Sequence, residues 1–214
     1  MAQSDTVERI LGAASALFAE RGYSETSLRT ITSTAGVNLA AVNYHFGSKK
    51  ELIQAVFGRF LTPFCKLLDE ELDKLLAKYN DSSTASVDEL LEVLFRTLLT
   101  STAAMGERPS QFMKLLGLAY TQSQDHLRHY IIGEFGQYYS RFTGLLEKAN
   151  PDISPVTFYW RLYFILGASV FTLSSYDPIS NILKTDYGQE STIENTVSLL
   201  VPSLSAMLQC EDLS

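Results

Sequence analysis

The chain has 214 residues, 46% of them hydrophobic and 19% charged, which suits a folded globular protein and excludes a disordered or fibrous one. A net charge of -7 argues against a chain lined throughout with cations for an anionic partner. That average conceals a split: residues 1–50 carry five Lys/Arg against four Asp/Glu, while the rest carry twelve against twenty, so an anion-binding surface belongs at the N-terminal end.

Helical spacing recurs along the chain and no run alternates as a strand, so an all-α fold of about nine helices is expected. Val7, Ile10, Leu11, Ala14, Leu17 and Phe18 form one stripe on a first helix that Gly22 stops. A short second helix spans about Ser27 to Ala35, capped by Thr26 or Ser27, with Leu28 and Ile31 facing inward. Ala35-Gly36-Val37 makes a turn. Asn38 caps a third helix whose Leu39, Val42 and Phe46 should pack against the other two. Ser48 and Glu51 read as a capping box opening a long fourth helix to about Tyr79, with a kink or break expected at Pro63.

The polar segment NDSSTA, residues 80–85, reads as a linker, and Ser86 with Glu89 caps a helix to about Met105. Pro109 begins a helix reaching Tyr120, residues 124–149 form a long one, and Ser154-Pro155 starts another that ends near Asp177-Pro178. The last runs from Gly188 to Gln209, kinked at Pro202. Cys65 and Cys210 are expected as buried reduced thiols, too few for a disulfide framework. MAQSDTVERI lacks the pattern of a secretory signal, and the apolar stretches are interrupted by Arg, Ser or Thr, so no membrane span and a cytoplasmic location are expected.

Two short helices joined by a glycine turn make a helix-turn-helix whose second helix is sized for a DNA major groove. If Leu39, Val42 and Phe46 face inward, then Ala40, Asn43 and Tyr44 face out, with Ala41 at the edge. Small Ala side chains allow close approach to base edges and contact with a thymine methyl, and Asn43 can both donate to and accept from a base. Tyr44, His45 and Lys49 are placed to grip phosphates. Lys49 and Lys50 are electrostatically mismatched to a helix N-terminus unless an anion visits it.

The stretch LFAERGYSETSLRTITSTAGVNLAAVNYHFGSKKELIQAVF, ending at Phe57, resembles the N-terminal domain of the TetR family of bacterial transcriptional regulators. Its Arg-Gly-Tyr, Ala-Gly-Val, Tyr-His-Phe and Ser-Lys-x-x-Leu elements follow that family's order. NLAAVNYHFGSKK and FLTPFC are also similar to the fatty-acid-responsive PsrA branch of the family. The resemblance implies a helix-turn-helix DNA-binding domain over residues 1–50 and a helical ligand-binding and dimerisation domain over 51–214. It implies a homodimer, joined through the last two helices, that reads a palindromic double-stranded operator and is released by a small apolar inducer such as a long-chain fatty acid or acyl-CoA. By the family's motif, Arg29, Leu39, Ala40, Ala41 and Asn43 face bases, while Thr26, Ser27, Tyr44, His45 and Lys49 contact phosphates and Asn38 lies at the same interface. At Asn43 the family often has an aromatic residue, so this chain's operator need not match that of its relatives.

Aromatic residues crowd the C-terminal part, and a minority of them can line an apolar cavity between helices. The candidates are Phe60, Phe64, Phe112, Tyr120, Tyr138, Phe142 and Phe164, with Arg96, Lys114, Arg141 or Arg161 as a partner for an acyl head group. Val170, Phe171, Ile193, Val197, Leu200, Leu204 and Leu208 offer apolar surface for a four-helix dimer interface. No catalytic residue, cofactor or metal is expected. His126 and His129 stand at metal-binding spacing with no third ligand nearby, and the acids from Asp69 to Asp73 read as a solvated face.

Overall fold

The computed structural model describes residues 2–80, 84–121 and 124–210. Residues 81–83 of the expected linker lie outside these. Among the described residues there are ten helices and no strand: α1 Ala2–Glu25, α2 Leu28–Ala35, α3 Leu39–Phe46, α4 Lys49–Leu76, α5 Val87–Ala104, α6 Pro109–Thr121, α7 Asp125–Lys148, α8 Pro155–Ser174, α9 Tyr176–Tyr187 and α10 Ile193–Gln209. The chain divides into two compact units, one comprising the residues up to Pro63 with Gln111–Phe135, the other Phe64–Ser110 with the chain from Gly136 onward.

In the first unit α1 packs on α2 and α3. Ile10, Ala14 and Phe18 of α1 are fully buried with Ile31 of α2 and Val42 of α3, and Leu52, Val56, Phe57 and Phe60 of α4 belong to the same buried set. Burying each of these larger side chains contributes about 1.5–3 kcal/mol. Gly22 interrupts the helical path of α1 with φ 81° and ψ 172°, a backbone state that a Cβ makes costly. The segment after it is thereby redirected toward α2. Rings of Phe60 and Phe112 pack at 5.3 Å between centroids.

In the second unit α10 packs on α5 and α8. Ser86 and Glu89 form the expected capping box, the Ser86 N–H donating to Glu89 at 2.9 Å and the Glu89 N–H to the Ser86 hydroxyl at 3.3 Å. The Tyr79 hydroxyl also donates to Glu89 at 2.6 Å, and these bonds, that of Tyr79 first, hold its carboxyl below the usual range. Arg141 of α7 pairs with Asp69 and Asp73 of α4, so two of the acids read as merely solvated hold an interhelical bridge.

Several elements depart from expectation. Helix α8 ends at Ser174 rather than near Asp177-Pro178, and a separate helix α9 covers the residues between the last two expected helices, with Pro178 in its first turn, where a missing N–H is harmless. Of the kink or break expected at Pro63, a break is excluded, since the proline lies inside the single helix α4, as Pro202 lies inside α10. Cys65 is buried, its thiol pushed up to about 12 by burial and the Asp69 carboxylate, whereas Cys210 is exposed. Helix α8 is, among the described residues, the one helix long and apolar enough to cross a membrane by length and composition, contrary to the expectation that no stretch qualifies. Arg161 and the serines within it lower the hydropathy less than its aliphatic residues and phenylalanines raise it.

Candidate nucleic-acid interface

The interface is assembled from caps outward. Ser27, not Thr26, caps α2: its hydroxyl accepts from the Thr30 N–H at 3.1 Å. Thr26 is fully buried, and its hydroxyl donates to the carbonyls of Gly22 at 2.7 Å and Leu17 at 3.2 Å, so it ties α2 to the end of α1 rather than facing solvent. Gly36 ends α2 in the left-handed conformation, φ 64° and ψ 38°, which turns the chain into α3 at little steric cost only without a side chain. Asn38 caps α3, its Oδ1 accepting from the Ala41 N–H at 2.8 Å. The Ser48 hydroxyl accepts from the Glu51 N–H at 3.2 Å at the start of α4.

Sequence reasoning does not single out Arg9, yet it holds this turn. From α1 its Nε and Nη2 donate to the Ala35 carbonyl at 3.0 and 2.6 Å, and Nη2 donates to the Gly36 carbonyl at 2.6 Å. A signal was available: α2 has no basic residue in its own last turn, so the negative end of its dipole and its unpaired carbonyls need a cation from elsewhere. Arg9→Ala should lower the unfolding free energy by about 1–2 kcal/mol, less than a fully buried charge-assisted pair because the side chain is partly exposed. A urea titration reads this, and an unchanged midpoint would show that α2 holds its angle unaided.

On α3, Val42 is buried and Phe46 half-buried, while Ala40, Asn43 and Tyr44 are exposed, Tyr44 by 76%. Leu39 departs from expectation. Instead of packing inward, this first residue of α3 is exposed. It therefore joins Ala40 and Asn43 on the outer face, with Ala41 half-buried beside them. The rings of Tyr44 and His45 meet edge-on at 5.0 Å between centroids. Arg29 is exposed and makes no ion pair among the described residues.

Lys49 is held rather than free. Its Nζ lies 4.3 Å from the centroid of the Tyr23 ring and donates to the Ser24 carbonyl at 3.4 Å. Burial lowers its pKa, and the nearby Glu25 carboxylate opposes that shift. Behind Tyr23 stands His126 of α7, ring centroids 5.4 Å apart, and burial followed by the charge of Lys50 lowers the imidazole pKa against the pull of Asp125. Among the described residues no three His, Cys, Asp or Glu side chains cluster as metal ligands.

The candidate ligand residues are not gathered at one visible cavity. Phe60 and Phe112 are core rings of the first unit, where Lys114 and Tyr120 are exposed. In the second unit Phe142 is buried, Phe64 and Tyr138 are half-buried, and Phe164 is exposed. Arg96 pairs with Glu71 at 3.2 Å, and buried Arg161 donates to the Leu208 carbonyl at 2.8 Å. A cleft of about 250 Å³ opens instead beside α9, lined by Thr172, Tyr176, Ile179, Leu183, Leu199 and Leu200 among others, and a second shallow one lies along Val156, Tyr159, Trp160 and Tyr163 of α8.

The expected dimer surface also needs correction. Val197, Leu200, Leu204 and Leu208 are buried within the second unit on the inner face of α10. Ile193 and Val170 are half-buried, and of that set only Phe171 is exposed. What lies open is a stripe on α8, Val156, Trp160, Tyr163, Phe164 and Phe171, beside which α10 presents Leu199, Pro202, Ser203 and Ala206 at helical spacing.

Comparison with known proteins places this geometry in context. The family described as bacterial regulatory proteins, tetR family, matches residues 10–56, and the tetracyclin repressor-like C-terminal domain matches residues 92–207. The chain is 31% identical to the HTH-type transcriptional regulator YttP of Bacillus subtilis over 93 residues, 44% of this chain and 42% of that protein. It is 36% identical to the HTH-type transcriptional repressor KstR2 of Mycobacterium tuberculosis over 88 residues, 40% of this chain and 38% of that one. The matches thus span less than half the length of either curated relative. Among solved structures, the transcriptional regulator FadR from Bacillus subtilis in complex with stearoyl-CoA has the same fold at a TM-score of 0.60 and 17% identity, over 96% of this chain and 99% of that one.

Proposed function

The chain belongs to the tetR family of bacterial regulatory proteins, and from that premise we propose that it is a ligand-responsive DNA-binding regulator, mainly a repressor, that binds a palindromic operator as a homodimer in the cytoplasm. The observation that carries the reading is the exposed outer face of α3, Leu39, Ala40, Asn43 and Tyr44, set between a capped turn and the lysines that open α4. A helix made only for packing would not present that face. Arg29, Leu39, Ala40, Ala41 and Asn43 read base edges, and Ser27, Tyr44, His45 and Lys49 grip phosphates. Thr26, with its hydroxyl turned inward, and Asn38, with its side chain on the Ala41 N–H, shape the two helix starts. Residues 1–50 carry the DNA contacts, and residues 51–214 carry the inducer and the dimer.

The aromatic stripe of α8 with the small residues of α10 is the dimer face. A contiguous exposed apolar patch of this kind marks an interaction surface, and small side chains on the neighbouring helix let a second copy approach closely. An antiparallel pairing of α8 and α10 from two copies would cover both.

The inducer is a long-chain fatty acid or its acyl-CoA, taken up among the aromatic residues of the helical bundle. The fold shared with a stearoyl-CoA-bound regulator supports this class. Of the cations proposed for the head group, Lys114 alone is neither ion-paired nor hydrogen-bonded among the described residues. Ligand shifts the population toward an arrangement with the wrong recognition-helix spacing, and Pro63, inside α4 and without a backbone N–H, is the point of flexure. DNA and inducer then weaken each other reciprocally.

Selection of tight-binding duplexes from a random pool at fixed salt, with and without oleoyl-CoA, tests the reading. One palindrome, enriched and then lost with the lipid, supports regulator and inducer together. A palindrome indifferent to lipid removes the inducer, and no enrichment removes the regulator. On the selected duplex, Asn43→Ala should change the preferred base at one position by about 1–3 kcal/mol. Tyr44→Ala should weaken binding to all sequences alike, and Lys49→Ala should lower the salt slope by about one. A uniform loss for Asn43→Ala would reduce that residue to positioning.

A further inference from the structure

Three side chains from separate helical segments, His126, Tyr23 and Lys49, stand in a row beside the start of α4. His126, in the first turn of α7, packs its ring against Tyr23 with centroids 5.4 Å apart and planes inclined by 51°. The Lys49 ammonium lies over the same Tyr23 ring at 4.3 Å, within cation–π range. Phe18 stacks on Tyr23 at 5.9 Å, so the ring is confined between a core phenylalanine, an imidazole and a cation. Gly22 is what brings Tyr23 there, since its non-helical backbone swings the segment off the α1 axis.

The imidazole is held by packing rather than by its own polar atoms. Nε2 is buried and has no hydrogen-bond partner among the described residues. The anchoring contact is made by the backbone instead: Gln54 Nε2, on α4, donates to the His126 carbonyl at 3.4 Å. Burial first, and then the nearby Lys50 charge, lower the imidazole pKa against the opposing pull of Asp125, which favours the uncharged ring that packs on tyrosine. A buried ring nitrogen left without a partner is a cost that a phenylalanine would avoid, and the part of the ring in use is the surface against Tyr23.

We infer that His126 is a positioning residue for DNA binding: acting through Tyr23, it fixes where the Lys49 ammonium stands, so that a displacement of the first turn of α7 is read at the operator as a displaced phosphate contact. The inference rests on the DNA-binding reading and deepens it, because it names one physical link by which α7 reaches the DNA face. Cation–π attraction depends on the ammonium lying over the ring, so tilting Tyr23 moves the preferred position of Nζ without breaking any bond of α4. No bistable contact elsewhere is required.

The test is the salt dependence of binding to the selected palindrome, measured with the full chain. His126→Ala should weaken binding about fivefold, in the lower range of allosteric couplings, and lower the salt slope by about one, as expected when one phosphate contact is lost. In a Lys49→Ala background the same substitution should change neither quantity. His126→Phe, which keeps a ring against Tyr23, should restore the slope. Should His126→Ala fold poorly, His126→Leu fills the space without an aromatic face and must show the same slope change. An unchanged slope in a folded variant, or an equal further loss in the Lys49→Ala background, would overturn the positioning role while the unmodified chain still binds. Absence of binding by the unmodified chain would instead overturn the DNA-binding reading itself, and this inference with it.

Discussion

Phe164→Glu should convert the proposed dimer into monomers and remove most of its operator affinity. Phe164 is 53% exposed at the middle of the α8 stripe, where its ring packs 6.1 Å from Trp160 between centroids. In a two-fold interface the same patch meets itself, so one substitution buries two carboxylates close together. Each carries a desolvation penalty of several kcal/mol with no cation in the stripe to offset it. The aromatic area lost is also large, since each such ring covers about 150–250 Å². A monomer still carries an intact helix-turn-helix but reads only half a palindrome. Losing the second, linked contact costs about 10²–10⁴ in apparent affinity. Sedimentation equilibrium and an operator titration on the same sample give both quantities. A variant that stays dimeric with unchanged affinity would move the interface elsewhere and leave the α8 aromatics for another partner.

Arg161→Ala should destabilise the second unit by about 2–4 kcal/mol, through an unsatisfied buried carbonyl and lost packing of the arginine stem. Arg161 is only 6% exposed, and its Nη1 donates to the Leu208 carbonyl at 2.8 Å. That carbonyl lies in the last turn of α10, where carbonyls lack intrahelical partners and the helix dipole is negative. A buried guanidinium is tolerable at such a place and costly elsewhere. For a chain of this length the shift in Tm is about 4–16 °C. Arg161→Lys should recover only part of it, because an ammonium presents a point charge rather than a planar fork. The same residue is a candidate for the inducer head group, and the two roles separate cleanly. If Arg161→Ala melts at the unmodified temperature but no longer responds to oleoyl-CoA, the residue belongs to the ligand and not to the clamp on α10.

What the sequence determined by itself is everything carried by short-range chemistry. Ser27, Asn38, Ser86 and Ser154 each cap the helix that follows, because a side-chain oxygen one turn from an unpaired N–H needs no information from the rest of the chain. Gly22 and Gly36 mark breaks for the same reason, and with them the helix-turn-helix and the outward position of Asn43 and Tyr44 were legible before any coordinates. Only the tertiary structure decided which faces are covered. Along α8 aromatic and aliphatic residues occur on every side, so spacing offers no polar face to assign to solvent, and only packing against α10 shows that Ile165 is inside and Trp160 outside. On α10 the ambiguity resolved the other way, with Leu200, Leu204 and Leu208 buried rather than offered to a partner. Arg9 and Arg161 belong to the same class: each satisfies carbonyls at the end of a distant helix, 26 and 47 residues away along the chain. A hydrogen bond between groups so far apart in sequence depends on how the helices pack, and helix packing is set by the whole core at once.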